Sequence, residues 1–216
     1  MIAAAAPVPE DLTAASIEAL LVWRRDVRHF ETRPIAEAEM ERLFGLVQLA
    51  PSVGNAQPWR FLRVQTPALR ATLADHVDET ARRAGERYDA AELGPLYHSL
   101  KLHGLREAPE IIAVFSDEAP LAGHGLGIAT MPEALRYSTV LAIHTLWLAA
   151  QSHGIGLGWV SIVDPAFVAR LLDVPEHWHF MALLCLGHAE EASETPELER
   201  RGWQSRDDWR AHVSVR

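Results

Sequence analysis

The residues from Glu133 to His153 constrain this chain more than any other stretch. Val140, Ile143, Leu146, Trp147 and Ala150 recur at three-and-four spacing, so one long helix must find cover for an apolar face. It is the most apolar helix in the chain and is expected at the centre of the core. Gly154, Gly156 and Gly158 follow, alternating with Ile155 and Leu157. A glycine run of this kind invites a dinucleotide-binding reading, but that fingerprint has a strand before the glycines and a helix after them. The order here is reversed, which predicts a helix C-cap and a tight turn into a strand.

The other elements supply layers around that helix. Asp11 or Thr13 can cap a first helix carrying Ile17, Leu20 and Leu21, which runs into Trp23-Arg24-Arg25-Asp26. A second helix follows Pro34, with Met40, Leu43, Phe44, Val47 and Ala50 in register. Pro51 to Pro58 is a loop bracketed by prolines. Strands are predicted at Arg60 to Gln65, Ile111 to Ser116, Gly156 to Val163 and His179 to His188. The charged span from Pro67 to Arg106 reads as helical, broken near Gly94-Pro95, and a short helix covers Pro165 to Asp173. Residues 117–132 read as a long loop or lid, and residues 190–216 as an acidic, polar C-terminal arm. About the first ten residues are expected to be disordered. The sum is one α+β domain over residues 1–216.

The 216 residues carry 20 Lys+Arg against 29 Asp+Glu, and the resulting net charge of −9 disfavours nucleic acid and anionic membrane as partners. No stretch supplies the ~18 uninterrupted apolar residues of a membrane span, and Met1 to Pro9 lacks the basic start of a signal peptide. Cys185 is the only cysteine, which excludes an internal disulfide and a CxxC knuckle. Between Leu184 and Leu186 it reads as a small buried hydrophobe. A reduced, cytoplasmic protein is expected. His177 and His179 have the spacing to share a strand face, but no third ligand stands at a recognisable distance, so rim histidines are expected and no metal. The chain has no G-x-S-x-G, P-loop or H-E-x-x-H.

Arg24-Arg25-Asp26-Val27-Arg28 is the sharpest local signal. Lys101 is the only lysine, so nearly all positive charge is presented as guanidinium forks suited to phosphate and carboxylate. Three arginines within five residues repel one another unless an anion joins them, and Asp26 neutralises only one. At a helix end Arg24 and Arg28 would share a face. By themselves these residues fit either an anion site or a solvated basic helix end.

Arg24 to Arg28, followed by Ala50-Pro51-Ser52-Val53-Gly54-x-x-Gln57-Pro58-Trp59, resembles the flavin-binding signatures of the nitroreductase-like flavoproteins. More narrowly it resembles their oxygen-dependent branch, the 5,6-dimethylbenzimidazole synthases. The resemblance continues through Tyr97-x-x-Leu100-Lys101-Leu102, Thr130-Met131-Pro132-Glu133, Tyr137-Ser138-Thr139-Val140 and Leu146 to Ala150. It ends with Gly158-Trp159-Val160-Ser161-Ile162, Leu184 to Gly187, and Pro196-Glu197-Leu198-Glu199-x-x-Gly202-Trp203. In all it spans about residues 20 to 206 in matching order.

The resemblance implies a central mixed sheet of four to five strands surrounded by helices, in an intertwined homodimer with a flavin site at the subunit interface. It implies that Arg24, Arg25, Val27 and Arg28 hold FMN, with guanidinium groups on the phosphate and near the pyrimidine edge. Ser52 and Gln57 would hydrogen-bond the cofactor, Gly187 and Arg206 would serve its phosphate end, and Leu100 and Leu102 would close an apolar pocket over the ring. Reduced FMN would itself be the substrate, fragmented with O2 to 5,6-dimethylbenzimidazole, the lower ligand of cobalamin, with release of erythrose 4-phosphate. A flavin reductase would supply the reduced FMN with electrons ultimately from NAD(P)H. Asp26 and Ser161 would carry the chemistry, Asp26 as an ionised base with a depressed pKa among arginines. Alternatives on the same fold are an NAD(P)H-dependent FMN nitroreductase or quinone reductase and a flavin-holding protein without turnover. The chain departs from the family pattern at His103, at Leu135-Arg136, at Ile143-His144-Thr145 and at Gln204-Ser205. These positions bear on the lid and on dimer packing and leave the arginines, Asp26 and Ser161 intact.

Overall fold

The computed structural model describes residues 14–89 and 93–216. The proposed caps Asp11 and Thr13 lie outside them. A four-stranded sheet in the order β1-β2-β4-β3 is built from β1 (Trp59–Arg63), β2 (Glu110–Asp117), β3 (Gly156–Val160) and β4 (Trp178–Gly187). Every pairing between these strands is antiparallel. The expected mixed sheet is reduced to one parallel bridge, Asp26 to Leu157, outside the named strands. A register shift between Val114 and Phe115 places a bulge where β2 meets β4.

Both faces of the sheet are covered, which explains the unbroken apolar runs in β2 and β4. On one face Ile112, Val114, Ala182 and Leu184 pack with α2 (Glu37–Val47) and α5 (Ala134–Ser152). On the other, Ile111, Ala113, Phe115 and Leu183 pack with α3 (Pro67–Gly85) and α6 (Pro165–Leu171). The central helix is where the periodicity put it, but its buried stripe runs through Leu135, Thr139, Ala142, Ile143, Leu146 and Ala150. Val140, expected on that stripe, is exposed together with Tyr137 and Leu141. Residues 118–133 form turns with neither helix nor strand, up to the start of α5. They lie on the loop after α2, where a Cβ on Gly127 would meet Val53 at 2.8 Å. The Ser138 hydroxyl pins that loop to α5 by accepting the Val53 N–H at 3.0 Å.

The first helix, α1 (Ala14–Trp23), ends at Trp23, earlier than the sequence suggests. The arginine motif is therefore extended, and Arg24 and Arg28 share no helical face. Residues 26–31 run as an added strand. The Val27 N–H donates to the Leu157 carbonyl at 3.0 Å, and the Glu31 N–H donates to that of His188 at 2.9 Å. Phe30 bridges to Ala189. The glycines after α5 make this docking possible. Gly154 has φ +70° and closes the helix as expected. Gly156 and Gly158 serve a different purpose: a Cβ on Gly156 would meet Val27 at 2.8 Å, and one on Gly158 would overlap the Val27 carbonyl oxygen. Phe30 is the anchor, fully buried against Gly104 and Gly187.

Gly158→Ala is expected to destabilise the protein by about 3 kcal/mol through this overlap. Gly45→Ala, on the exposed last turn of α2 with nothing within 4 Å of the added carbon, is expected to stabilise it by about 0.5–1 kcal/mol. Denaturant melts of the two variants beside the parent measure both.

Candidate functional site

The docked segment presents its side chains between β3 and the C-terminal residues. Asp26 is held at two points: its Oδ1 accepts the Trp159 N–H at 2.8 Å, and its Oδ2 pairs with Arg28 Nη2 at 3.0 Å. Burial pushes the Asp26 carboxyl above its ordinary range, against the pull of Arg28, the Trp159 N–H and Arg24. This corrects the expected depressed pKa. The arginines are near, but removing water from the carboxylate costs more than they return.

Arg24 lies over the Trp147 ring at 4.7 Å, and the Trp147 Nε1–H donates to the Arg25 carbonyl at 3.1 Å. Burial weakens the hold of Arg24 on its proton, with Asp26 acting against and Arg206 acting for that shift. Burial, Arg24 and Arg206 do the same to Arg25. Arg24, Arg25 and Arg206 thus crowd positive charge at one place. Arg25 Nε and Arg28 Nη1 are buried without a hydrogen-bond partner. Such a cluster is completed by an anion with several acceptor oxygens.

Two adjoining cavities meet at Arg28 and Leu198, beside a third, polar one of about 450 Å³ that Arg28 also lines. A narrow cleft of about 130 Å³ is lined by Arg24, Arg25, Asp26, Arg28, Glu197 and Arg206, with Leu198 at its wall. A wider cavity of about 400 Å³ has Leu100, Leu102, Trp159, Ser161, Leu198 and Trp203 in its lining. The first is cationic and the second largely apolar, so together they suit a ligand with a phosphate at one end and a flat ring at the other. Residues from four separate parts of the chain line these cavities: the arginine motif, Leu100 and Leu102, Ser161, and Arg206. Sequence reasoning did not assign Trp159, Leu198 or Trp203 to the site, although they stand in the motifs quoted for the resemblance. It also missed Phe30, whose only signal was an aromatic residue two places beyond Arg28.

Four of the expected site residues lie elsewhere. The Val27 side chain packs beside Gly156 and lines neither of these two cavities. Gly187 is buried at the end of β4, where a Cβ would press on Phe30 and Pro109, and it lines neither cavity. Its role is to admit the Phe30 anchor. Ser52 and Gln57 sit in the loop before β1, where the Ser52 hydroxyl accepts the Gln57 N–H at 3.1 Å. β1 and β3 are opposite edges of the sheet. Trp59 aligns with Ser116 in β2, whereas Leu157 aligns through Leu186 with Glu110. Three strand spacings and six residues of rise put these corners roughly 25 Å apart. One chain does not bring Ser52 and Gln57 to its own arginine cluster.

Residues 21–188 match the Nitroreductase family. The chain belongs to the nitroreductase family. Among curated relatives, a 5,6-dimethylbenzimidazole synthase from Rhodospirillum rubrum is 54% identical over 205 residues, covering 93% of each chain. One from Rhodobacter capsulatus is 51% identical over 185 residues, covering 86% of this chain and 89% of that protein. Among solved structures, iodotyrosine deiodinase bound to FMN and 3-iodo-L-tyrosine superposes with a TM-score of 0.71 at 23% identity. That match covers 93% of this chain and 97% of the deiodinase, and shows the nitroreductase fold. No helix among the described residues is long and apolar enough to cross a membrane.

Cys185 plays no part in this nitroreductase site. It is fully buried in β4, and burial pushes its thiol up to about 12. The native protein is therefore expected to resist a chromogenic disulfide reagent at pH 8 and to release one equivalent of chromophore only when unfolded.

Proposed function

We propose that this nitroreductase-family chain is a 5,6-dimethylbenzimidazole synthase, fragmenting reduced FMN with O2 and releasing erythrose 4-phosphate. The observation that carries the reading is the 54% identity to the Rhodospirillum rubrum synthase along 93% of both chains. The two cavities that meet at Arg28 support it. The orphaned guanidinium nitrogens and the apolar wall fit the charge and shape of FMN.

Arg24, Arg25 and Arg206 would hold the phosphate, which supplies an acceptor for the buried Arg25 Nε–H that lacks one. Arg28 would face the pyrimidine edge, where reduced flavin carries negative charge. Leu100, Leu102, Trp159 and Trp203 would exclude water from the ring. Bound reduced FMN supplies an oxygen-reactive ring whose own carbons become the product. The chain's residues manage protons around it. Asp26, with its raised pKa, is a stronger base than an ordinary carboxylate and sits beside Arg28, ready to exchange a proton. The Ser161 hydroxyl, in the wall of the wider cavity, would orient a polar group of the ribityl chain. A flavin reductase drawing on NAD(P)H would deliver the reduced substrate.

The working site needs two chains. α1 buries none of its residues, and Ile17, Leu21, Val22 and Trp23 are exposed on it, beside exposed Val140 and Leu141 on α5. An apolar helix left open on its own chain calls for a partner surface. A second copy would cover it and bring that copy's Ser52 and Gln57 toward the distant arginine cluster.

Aerobic incubation with reduced FMN is expected to yield a product with the mass of 5,6-dimethylbenzimidazole. Clean return to intact FMN, with steady NAD(P)H consumption in the presence of a nitroaromatic, would instead make the protein an ordinary nitroreductase. Asp26→Asn and Ser161→Ala are each expected to bind FMN within about threefold of the parent while product formation falls about 100-fold or more. Leu21→Asp is expected to run as a monomer in light scattering and to lose FMN affinity.

A further inference from the structure

Glu197 is the buried acidic group that the mechanism above leaves unused. It opens α7 (Glu197–Arg200), a single turn in the C-terminal segment that also carries Leu198, Trp203 and Arg206. Its side chain is 11% exposed, unlike the solvated glutamates around it. Two guanidinium groups and an imidazole converge on it. Oε2 faces Arg28 Nη1 at 3.9 Å, and Oε1 faces His29 Nε2 at 3.4 Å and Arg201 Nε at 3.8 Å. Arg28 Nη2 is already paired with Asp26 Oδ2 at 3.0 Å, while Nη1 is buried without a hydrogen bond. The Arg28 guanidinium therefore lies between two carboxylates, tightly engaged by one and loosely by the other.

We propose that Glu197 is a positioning residue for Arg28: its carboxylate shares the guanidinium with Asp26 and fastens the C-terminal wall of the site to the arginine segment. The inference deepens the flavin-site reading and rests on it for its catalytic meaning. The charge balance itself is a property of the protein without ligand. Arg28 is the charged residue common to both cavities, so its placement governs both the cationic cleft and the ring wall. By drawing on Arg28, Glu197 limits how far that cation stabilises ionised Asp26. Its own negative charge acts in the same direction. Asp26 is also acted on by Arg24 from its own segment and by the Trp159 N–H from β3, and it shares the cleft with Arg25 and with Arg206 from the C-terminal segment. Glu197 is faced by Arg28, His29 and Arg201. Among these, Glu197 is the carboxylate that shares Arg28 with Asp26, and it keeps Asp26 protonatable where a fully committed arginine would hold it ionised.

The test is carboxyl carbon NMR of the flavin-free protein across a pH titration, with the Asp26 resonance assigned by its loss in Asp26→Asn. In Glu197→Gln, which keeps the shape and removes the charge, the Asp26 midpoint is expected to fall by about half a pH unit. Glu197→Asp, which restores the charge, is expected to return it most of the way to the parent value. Titrating the same variants in a His29→Gln background separates Asp26 from protonation of the neighbouring imidazole, and the difference between Gln and Asp is expected to persist there. An unmoved midpoint in Glu197→Gln, or equal shifts in Gln and Asp variants, overturns the proposal. The acid limb of product formation with reduced FMN is expected to follow the NMR midpoint. Failure of the parent to form product would count against the synthase reading alone, because the flavin-free titration still decides whether Glu197 acts through Arg28.

Discussion

Everything at the site depends on one close backbone approach: residues 26–31 lying against β3 at Gly156 and Gly158. The Val27 carbonyl occupies space that any side chain at Gly158 would fill. The Asp26 carboxylate can reach the Trp159 N–H only because the two backbones are this near. Phe30 then locks the segment from its far end, seated between Gly104 and Gly187. Four glycines from three regions thus serve one short strand. The charged residues gain fixed positions because an apolar anchor and a backbone ladder hold them, and not because they attract one another.

That division of labour explains the electrostatics. A protein of net charge −9 has collected Arg24, Arg25, Arg28 and Arg206 on one face, where burial and neighbouring like charge oppose the ionisation of Arg24 and Arg25. Packing supplies the energy that holds this arrangement together, and a phosphate-bearing ligand would relieve it. Asp26 is drawn into the same desolvated space, and desolvation outweighs its arginine neighbours. The outcome is a carboxyl able to exchange a proton near cations, which a solvated aspartate beside arginines would not offer.

The geometry also divides the site. The loop holding Ser52 and Gln57 and the strand holding Asp26 lie at diagonal corners of the sheet, a distance that no side chain spans. In the proposed dimer, a second copy would cover the exposed apolar residues of α1 and the outer side of α5 and close that gap. Apolar cover and completion of the site would then be one event.

Much of this was legible in the residues. The central helix, the four strands and the buried Cys185 all followed from periodicity and turn chemistry, whereas the grouping of Arg28 with Leu100, Leu102 and Ser161 was offered only by the family resemblance. The outer face of α5 was misread at Val140 because periodicity says that a helix has an apolar face, not how wide it is or what covers it. The glycines after α5 were read as a turn, and only Gly154 is spent that way. Local order along the chain was determined by the sequence alone, since hydrophobic spacing and capping act over a few residues. What only the tertiary structure decided is the meaning of Gly156, Gly158, Gly187 and Phe30, and with them the raised pKa of Asp26. Those depend on which distant backbone occupies the space beside a residue and how much water it displaces, and neither quantity is written in any window of the chain.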